Sequence, residues 1–166
     1  MKRVVLSVAS LLLAGAPGVR GEAEPARLER TASENRIHAQ RLIEDVMARN
    51  PDLVGIGLHA IPPHATDYEI IAQLRDIIGR KSSEDDLEII KQDATRINPD
   101  MLGAIPRMKA LAPLRDRGGQ IIGLAALSFK RPPGLTKLAV HARLDAILAG
   151  LAQEIPGRES LFEPAP

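Results

Sequence analysis

The stretch LVGIGLHAIPPHATDYEIIAQL, residues 53–74, has the spacing of two β-strands joined by a turn. Alternate positions in its first half fall on two faces: Val54, Ile56, Leu58 and Ala60 on one, and Gly55, Gly57, His59 and Ile61 on the other. A period of two residues is typical of a β-strand. Residues 62–67 have the composition of a turn, and residues 68–74 form a second β-compatible run. The stretch therefore predicts two neighbouring strands of a sheet.

Amphipathic helices are predicted on both sides of this strand pair. Between Ala26 and Arg49, and again between Lys137 and Glu154, apolar residues recur every three to four positions, which is the spacing of a helix with one buried face. The predicted buried positions are Ala39, Leu42, Ile43, Val46 and Met47 in the first helix and Val140, Leu144, Ile147, Leu148 and Leu151 in the second. The first helix should end before Pro51, because proline disfavours helical backbone in the residue before it.

The region between these helices predicts a short helix and a hairpin. Residues 83–92 form the short helix, INPD at residues 97–100 breaks the chain, and two β-compatible runs flank the turn RGGQ at residues 117–120. Because the strands come in adjacent pairs and helices lie at the ends, we predict an α+β fold with an antiparallel sheet. We expect one domain from residue 24 to 155 and a flexible C-terminal tail over residues 156–166.

The first 23 residues predict a cleaved secretory signal peptide. Lys2 and Arg3 precede an apolar run over residues 4–14, and small residues follow. An uncleaved membrane anchor is the alternative, but a run of 11 residues is shorter than the roughly 20 that a spanning helix needs. Cleavage after Ala16 and cleavage after Ala23 both remain open. We therefore expect a periplasmic or secreted protein.

The composition argues against several kinds of site. The chain has 22 basic and 21 acidic residues, and loss of residues 1–23, which contain three basic residues and one acidic residue, leaves 19 basic and 20 acidic residues. This balance does not predict the clustered basic face that nucleic-acid binding needs. One Tyr, two Phe and no Trp provide little aromatic surface on which bases could stack. The absence of cysteine excludes disulfides, thiolate metal sites and cysteine nucleophiles.

The segment IGRKSSEDDLEII, residues 78–90, has features of both a phosphate-binding loop and a helix start. Ser82 and Ser83 are each followed three residues later by an aspartate, which is the spacing of a capping box. The acids at 84–86 also suit the positive end of a helix dipole. A P-loop instead needs a glycine-rich run that ends in Gly-Lys-Ser or Gly-Lys-Thr, whereas only Gly79 precedes the basic pair here. We therefore predict a helix cap.

The histidines do not predict a metal site. They are His38, His59, His64 and His141, and none of them shows the short spacing of paired metal ligands. His59 shares a predicted strand face with two glycines, which leave room for a helix or a ligand to approach the backbone closely. No nucleophile elbow is present, so we expect neither an enzyme nor a cofactor. Any ligand site would suit a small anion.

Three segments together resemble the Cache family, the extracytoplasmic PAS-like sensor domains of bacterial receptors. They are IHAQRLIEDVMARNPDLVGIGLHAIPP (37–63), IIAQLRDIIGRKSSEDDLEIIKQ (70–92) and LAPLRDRGGQIIGLAALSFK (111–130). The resemblance runs from about residue 33 to residue 153. It implies a long N-terminal helix beside a curved antiparallel sheet, with a ligand pocket on the sheet under the loops between Ile61 and Ser83.

The Cache resemblance also implies a binding function, since members of the family bind organic acids and amino acids. The residues expected nearest the pocket are His59, Tyr68, Arg75, Lys81, Ser82 and Ser83. Receptors of this family continue into a second transmembrane helix and an output module, so this chain is expected to lack its own output and to act through a membrane receptor or as a homodimer. The alternative is a ligand-free module that dimerises through the helix at residues 26–49.

Overall fold

The computed structural model describes residues 36–165 of the 166-residue chain. The predicted signal peptide and residues 26–35 of the predicted first helix lie outside that range. In chain order the elements are α1 (His38–Arg49), β1 (Leu53–Ala60), β2 (Glu69–Gln73), α2 (Glu84–Gln92), β3 (Arg96–Leu102), β4 (Ile105–Arg115), β5 (Ile121–Lys130), α3 (Lys137–Glu154) and a 3-10 helix (Arg158–Phe162).

The five strands form one antiparallel sheet in the order β2-β1-β5-β4-β3. This confirms the predicted α+β fold with an antiparallel sheet and helices at both ends. At the centre of the sheet, β5 approaches β1 so closely that a Cβ atom on Gly123 would lie 2.0 Å from the carbonyl oxygen of His59. Any side chain at that position would push the two central strands apart.

The two faces of the sheet are covered by different helices. On one face α1 and α3 bury most of the apolar positions that the periodicity predicts, among them Leu42 and Leu144. On the other face α2 packs Ile89 against Leu111 of β4 and Leu124 of β5. Successive strand residues point to opposite faces, which explains why the sheet contributes to both cores.

The segment INPD, predicted to break the chain, instead lies inside β3, and that prediction is wrong. β3 is the edge strand next to β4, with Pro99 opposite Met108. Proline has no N–H to donate, so it is tolerated at a sheet edge, where one side of the strand has no neighbour. The three strands after α2 are therefore contiguous in the sheet.

The C-terminal segment, predicted to be a flexible tail, is packed over residues 156–165. The side chain of Leu161 in the 3-10 helix is fully buried in the main core. Two backbone hydrogen bonds join this segment to the start of α1: His38 N donates to the Glu163 carbonyl at 2.8 Å, and Ala165 N donates to the Arg36 carbonyl at 2.7 Å. The end of the described chain thus closes over the beginning of the first helix.

Candidate functional site

The backbone after β2 brings three of the predicted ligand residues together. The chain leaves β2, turns at Gly79 and returns along the outer edge of the same strand, where Lys81 bridges to Glu69. Ser82 N then donates a hydrogen bond of 2.9 Å to the carbonyl of Tyr68. Tyr68, Lys81 and Ser82 therefore lie side by side, although 13 positions separate Tyr68 from Lys81 in the sequence.

The capping box predicted at the start of α2 is present. Ser83 is the N-cap residue, its hydroxyl oxygen accepts from Asp86 N, and the Asp86 carboxylate accepts from Ser83 N at 3.1 Å. This reciprocal arrangement satisfies two backbone donors at the helix start. Of the two Ser-x-x-Asp pairs in the sequence, only the second forms the box, which leaves Ser82 available for a different contact.

Ser82 contacts the buried His59. The Ser82 hydroxyl lies 2.9 Å from His59 Nδ1, and Asp86 Oδ2 lies 3.9 Å from the same nitrogen. Burial lowers the pKa of His59, and nearby Lys109 lowers it further, while Asp86 acts in the opposite direction. The imidazole is therefore neutral near pH 7, and it links the middle of the sheet to the loop and helix above it.

This Ser-His-Asp cluster does not have the geometry of a catalytic triad. In a triad the serine and the carboxylate bind opposite nitrogens of the imidazole, so that one nitrogen takes the serine proton while the other is held in position. Here Ser82 and Asp86 both approach Nδ1. Asp86 is also engaged by the backbone and hydroxyl of Ser83. The cluster is arranged to hold the loop against the sheet.

A groove runs between the loop before β2 and the outer surface of α2. It has a volume of about 440 Å³ and is lined by Thr66, Asp67, Tyr68, Lys81, Ser82, Leu87, Ile90 and Lys91. We call it the α2 groove. Its volume falls within the range of small-molecule sites, which is roughly 300–1,000 Å³. Ser82 belongs to both the groove and the buried cluster, so the groove wall is joined directly to His59.

The α2 groove carries both signs of charge. Lys81 Nζ lies 2.6 Å from Asp67 Oδ2, and this hydrogen bond raises the pKa of Lys81. The side chain of Lys91, on the last turn of α2, makes no hydrogen bond or ion pair with any residue in the range 36–165. The groove therefore has one neutralised pair and one cation whose charge is not neutralised by a carboxylate.

The other predicted ligand residues lie outside the groove. Arg75 is exposed in the loop after β2 and is not among the lining residues. Ser83 is occupied by the helix cap, and His59 lies behind Ser82. At Gly57 the space beside β1 is filled by a side chain, since a Cβ there would lie 2.8 Å from Gln73 Nε2, whereas at Gly55 the nearest atom is Ser128 Cβ at 4.0 Å.

The sequence did not predict that α2 forms one wall of the α2 groove. Leu87, Ile90 and Lys91 line the groove from this helix, and their spacing of three and four positions places them on one helical face. That spacing was a usable signal once the helix was predicted. Asp67 and Thr66, in contrast, reach the groove only because the returning strand edge places their loop opposite α2.

The described part of the chain has neither a metal-binding cluster nor a membrane-spanning helix. In residues 36–165 no group of three or more His, Asp and Glu side chains could hold a metal ion together. Within the same range, every helix is too short or too polar to cross a membrane.

Comparison with known proteins shows only distant relationships. No family model matches the sequence, and no curated protein matches it. Among solved structures, the fold is similar to a type II free methionine-R-sulfoxide reductase from Thermoplasma acidophilum, at 17% identity and a TM-score of 0.44, covering 69% of this chain and 86% of that one.

Two other solved structures show likenesses of the same order. The Agobacterium tumefaciens repressor BlcR is 12% identical, with a TM-score of 0.46 over 81% of this chain and 74% of that one. A light-oxygen-voltage domain studied with a flavin analogue is 12% identical, with a TM-score of 0.35 over 61% of this chain and 93% of that one. At these identities and TM-scores the similarities assign neither a family nor a ligand.

Proposed function

We propose that this protein is an exported, sensor-like binding protein for a small organic acid or amino acid, and that the α2 groove is its ligand site. The observation that carries the proposal is the convergence of Tyr68, Lys81 and Ser82 on one groove of about 440 Å³, beside a buried histidine. Export and a place in the Cache family are parts of the proposal, and they rest on residues 1–23 and on the sequence resemblance.

The groove chemistry favours a small ligand that carries a carboxylate. Lys91 offers a cation that no carboxylate of the described chain neutralises, and the Ser82 hydroxyl offers a neutral polar contact. If the ligand carboxylate became the partner of Lys81, Asp67 would be released. Asp67 would then accept a hydrogen bond from the ammonium group of an amino acid. Leu87 and Ile90 provide the apolar surface for the rest of the molecule. A charge-assisted hydrogen bond is stronger than a neutral one, so the lysine contacts should dominate affinity.

Ser82 provides a route by which a bound ligand would influence the fold. The Ser82 hydroxyl has a single proton, so a ligand carboxylate that accepts it would take it from His59 Nδ1 when that nitrogen is the acceptor, and His59 lies in the second strand from the edge, β1. The loop that holds Ser82 also leads directly into the capping box of α2. Ligand binding would therefore change the contacts between β1, this loop and α2, and a partner protein would read that change.

A thermal-shift screen with organic acids and amino acids tests the proposal. A ligand that binds only the folded state raises stability by about 2.7 kcal/mol at a hundredfold excess over Kd. The response should be saturable, weaker in Lys91→Gln and unchanged in Arg75→Gln, which removes the same charge outside the groove. A flat panel, or an equal response in Lys91→Gln, would contradict the proposal.

The dimerisation alternative receives no support from the described part of α1. Ala39, Leu42, Ile43 and Val46 are buried against the chain's own core, so residues 38–49 present no second apolar face to a partner. If dimerisation nevertheless stabilised the fold, the melting temperature would rise with protein concentration in the absence of any ligand.

A further inference from the structure

A second cavity lies where β5 leads into α3, and it differs in character from the α2 groove. Its volume is about 450 Å³, and its apolar lining is formed by Pro106, Phe129, Pro132, Leu135 and Val140. None of its lining residues belongs to the α2 groove. The cavity adjoins the main core through the buried ring of Phe129 and the buried side chain of Val140.

The polar rim of this cavity is cationic. Its single carboxylate, Asp52, is held by Arg143, whose guanidinium carbon also lies 6.0 Å from the centre of the Phe129 ring. Lys130 Nζ donates a hydrogen bond to the Pro51 carbonyl at 2.8 Å. Because this carbonyl is uncharged, the positive charge of Lys130 is not neutralised. Arg131 has no side-chain hydrogen bond or ion pair to any residue between 36 and 165. The rim thus carries an excess of positive charge beside an apolar floor.

The combination of an apolar floor and a cationic rim suits a molecule with an apolar body and one anionic group. The volume of about 450 Å³ also lies within the range of small-molecule sites, roughly 300–1,000 Å³.

We propose that this cavity binds an amphipathic monocarboxylate, such as a medium-chain fatty acid or an aryl-alkyl carboxylate. The apolar body would lie against Phe129, Leu135 and Pro132, and the carboxylate would be bound at the rim by Arg131. A planar guanidinium matches a carboxylate in a two-point contact. A neutral alcohol would lose that contact, and an alkyl ammonium would be repelled by the rim.

Octanoate is a suitable probe, titrated into the full chain and followed by amide chemical shifts and calorimetry. We expect saturable binding with shifts confined to residues 129–143 and the residues near 52 and 106. Arg131→Gln should weaken octanoate binding at least tenfold, and Leu135→Ala should weaken it severalfold. Arg80→Gln removes the same charge from an exposed loop outside the cavity and should leave the affinity unchanged. Unfolding of each variant without ligand checks that the fold is intact.

Several results would overturn this proposal. One is the absence of octanoate binding. Another is an equal affinity of the protein for octanoate, 1-octanol and octylammonium. A third is an unchanged octanoate affinity in a folded Arg131→Gln variant. Binding to phosphatidylglycerol vesicles without any response to free octanoate would also overturn it, because the surface would then belong to a membrane contact. These outcomes are distinguishable from failure of the α2 groove proposal, because Lys91→Gln should change binding only at that groove and Arg131→Gln only at this cavity.

Discussion

At the scale of single residues, Gly123 and His59 set the geometry of the sheet centre. Gly123 permits the close approach of β5 to the His59 carbonyl, and the His59 side chain carries the contact with Ser82 on the neighbouring loop. The sequence singled out His59 because it sits among glycines in a strand pattern. The sequence does not single out Gly123. Its lack of a Cβ matters only once β5 pairs with β1, and these two strands are far apart in the sequence.

Gly123→Ala should be strongly destabilising. The added methyl group would meet a backbone oxygen, which cannot move away as a flexible side chain can, so we expect a loss of about 3 kcal/mol or more in the free energy of unfolding. Gly150→Ala is the matched control: it lies in α3 with open space around it, and it should stabilise the protein by about 0.5–1 kcal/mol. Urea denaturation of both variants measures the difference, and equal effects would refute the account.

His59 predicts a specific pH dependence of stability. Its pKa is lower in the folded protein than in the unfolded chain, mainly because of burial, so the unfolded state binds the proton more readily. Stability is therefore complete above about pH 6.5 and falls as the pH decreases below that value toward the lowered pKa.

His59→Gln should remove this part of the slope, which for one proton is at most about 1.4 kcal/mol per pH unit. Denaturation curves at several pH values between 7.5 and 5 would show it. A slope that is identical in the wild type and in His59→Gln would mean that His59 does not couple folding to protonation.

At the scale of elements, features that depend on local sequence patterns were predicted better than features that depend on tertiary contacts. The helical periodicity of residues 38–49 and 137–154, the capping box of α2 and the hairpin around RGGQ are all local features, and the structure has each of them. β3 was missed because proline argues against a strand unless the strand is known to be at an edge. The α2 groove was predicted only in part, since it depends on a loop that returns along β2.

The helix cap of α2 gives a prediction at this scale. Ser83→Ala removes the side-chain oxygen that accepts from Asp86 N, so it should lower stability by about 1 kcal/mol. Lys91→Ala, on an exposed position of the same helix, should change stability by less than about 0.5 kcal/mol. Chemical denaturation distinguishes the two, and a cap substitution as mild as the surface one would show that the box contributes little.

At the scale of the whole molecule, the C-terminal segment closes the core that the terminal helices form on the sheet. Composition made this segment resemble a tail, with three prolines and a glycine among residues 156–166. Its fold depends instead on the burial of Leu161 and on two backbone hydrogen bonds to the start of α1, which join residues 125 and 129 positions apart in the sequence. Contacts at such separation leave no periodic pattern in a short segment.

Leu161→Ala measures how much this closure contributes. Leu161 is fully buried, so its truncation should cost about 2–5 kcal/mol, whereas a leucine in a frayed tail would cost almost nothing. Leu138→Ala, at an exposed position, is the control and should change stability by less than about 0.5 kcal/mol. Thermal or urea unfolding of the two variants gives the comparison.

The most direct test of the central claim is an amide chemical-shift titration of the isotopically labelled protein with organic acids and amino acids. We predict saturable shifts for at least one compound, concentrated at residues 66–68, 81–82 and 87–91, with a further shift at His59 behind Ser82. Absence of any shift, or shifts confined to other parts of the molecule, would contradict the assignment of the α2 groove as the ligand site.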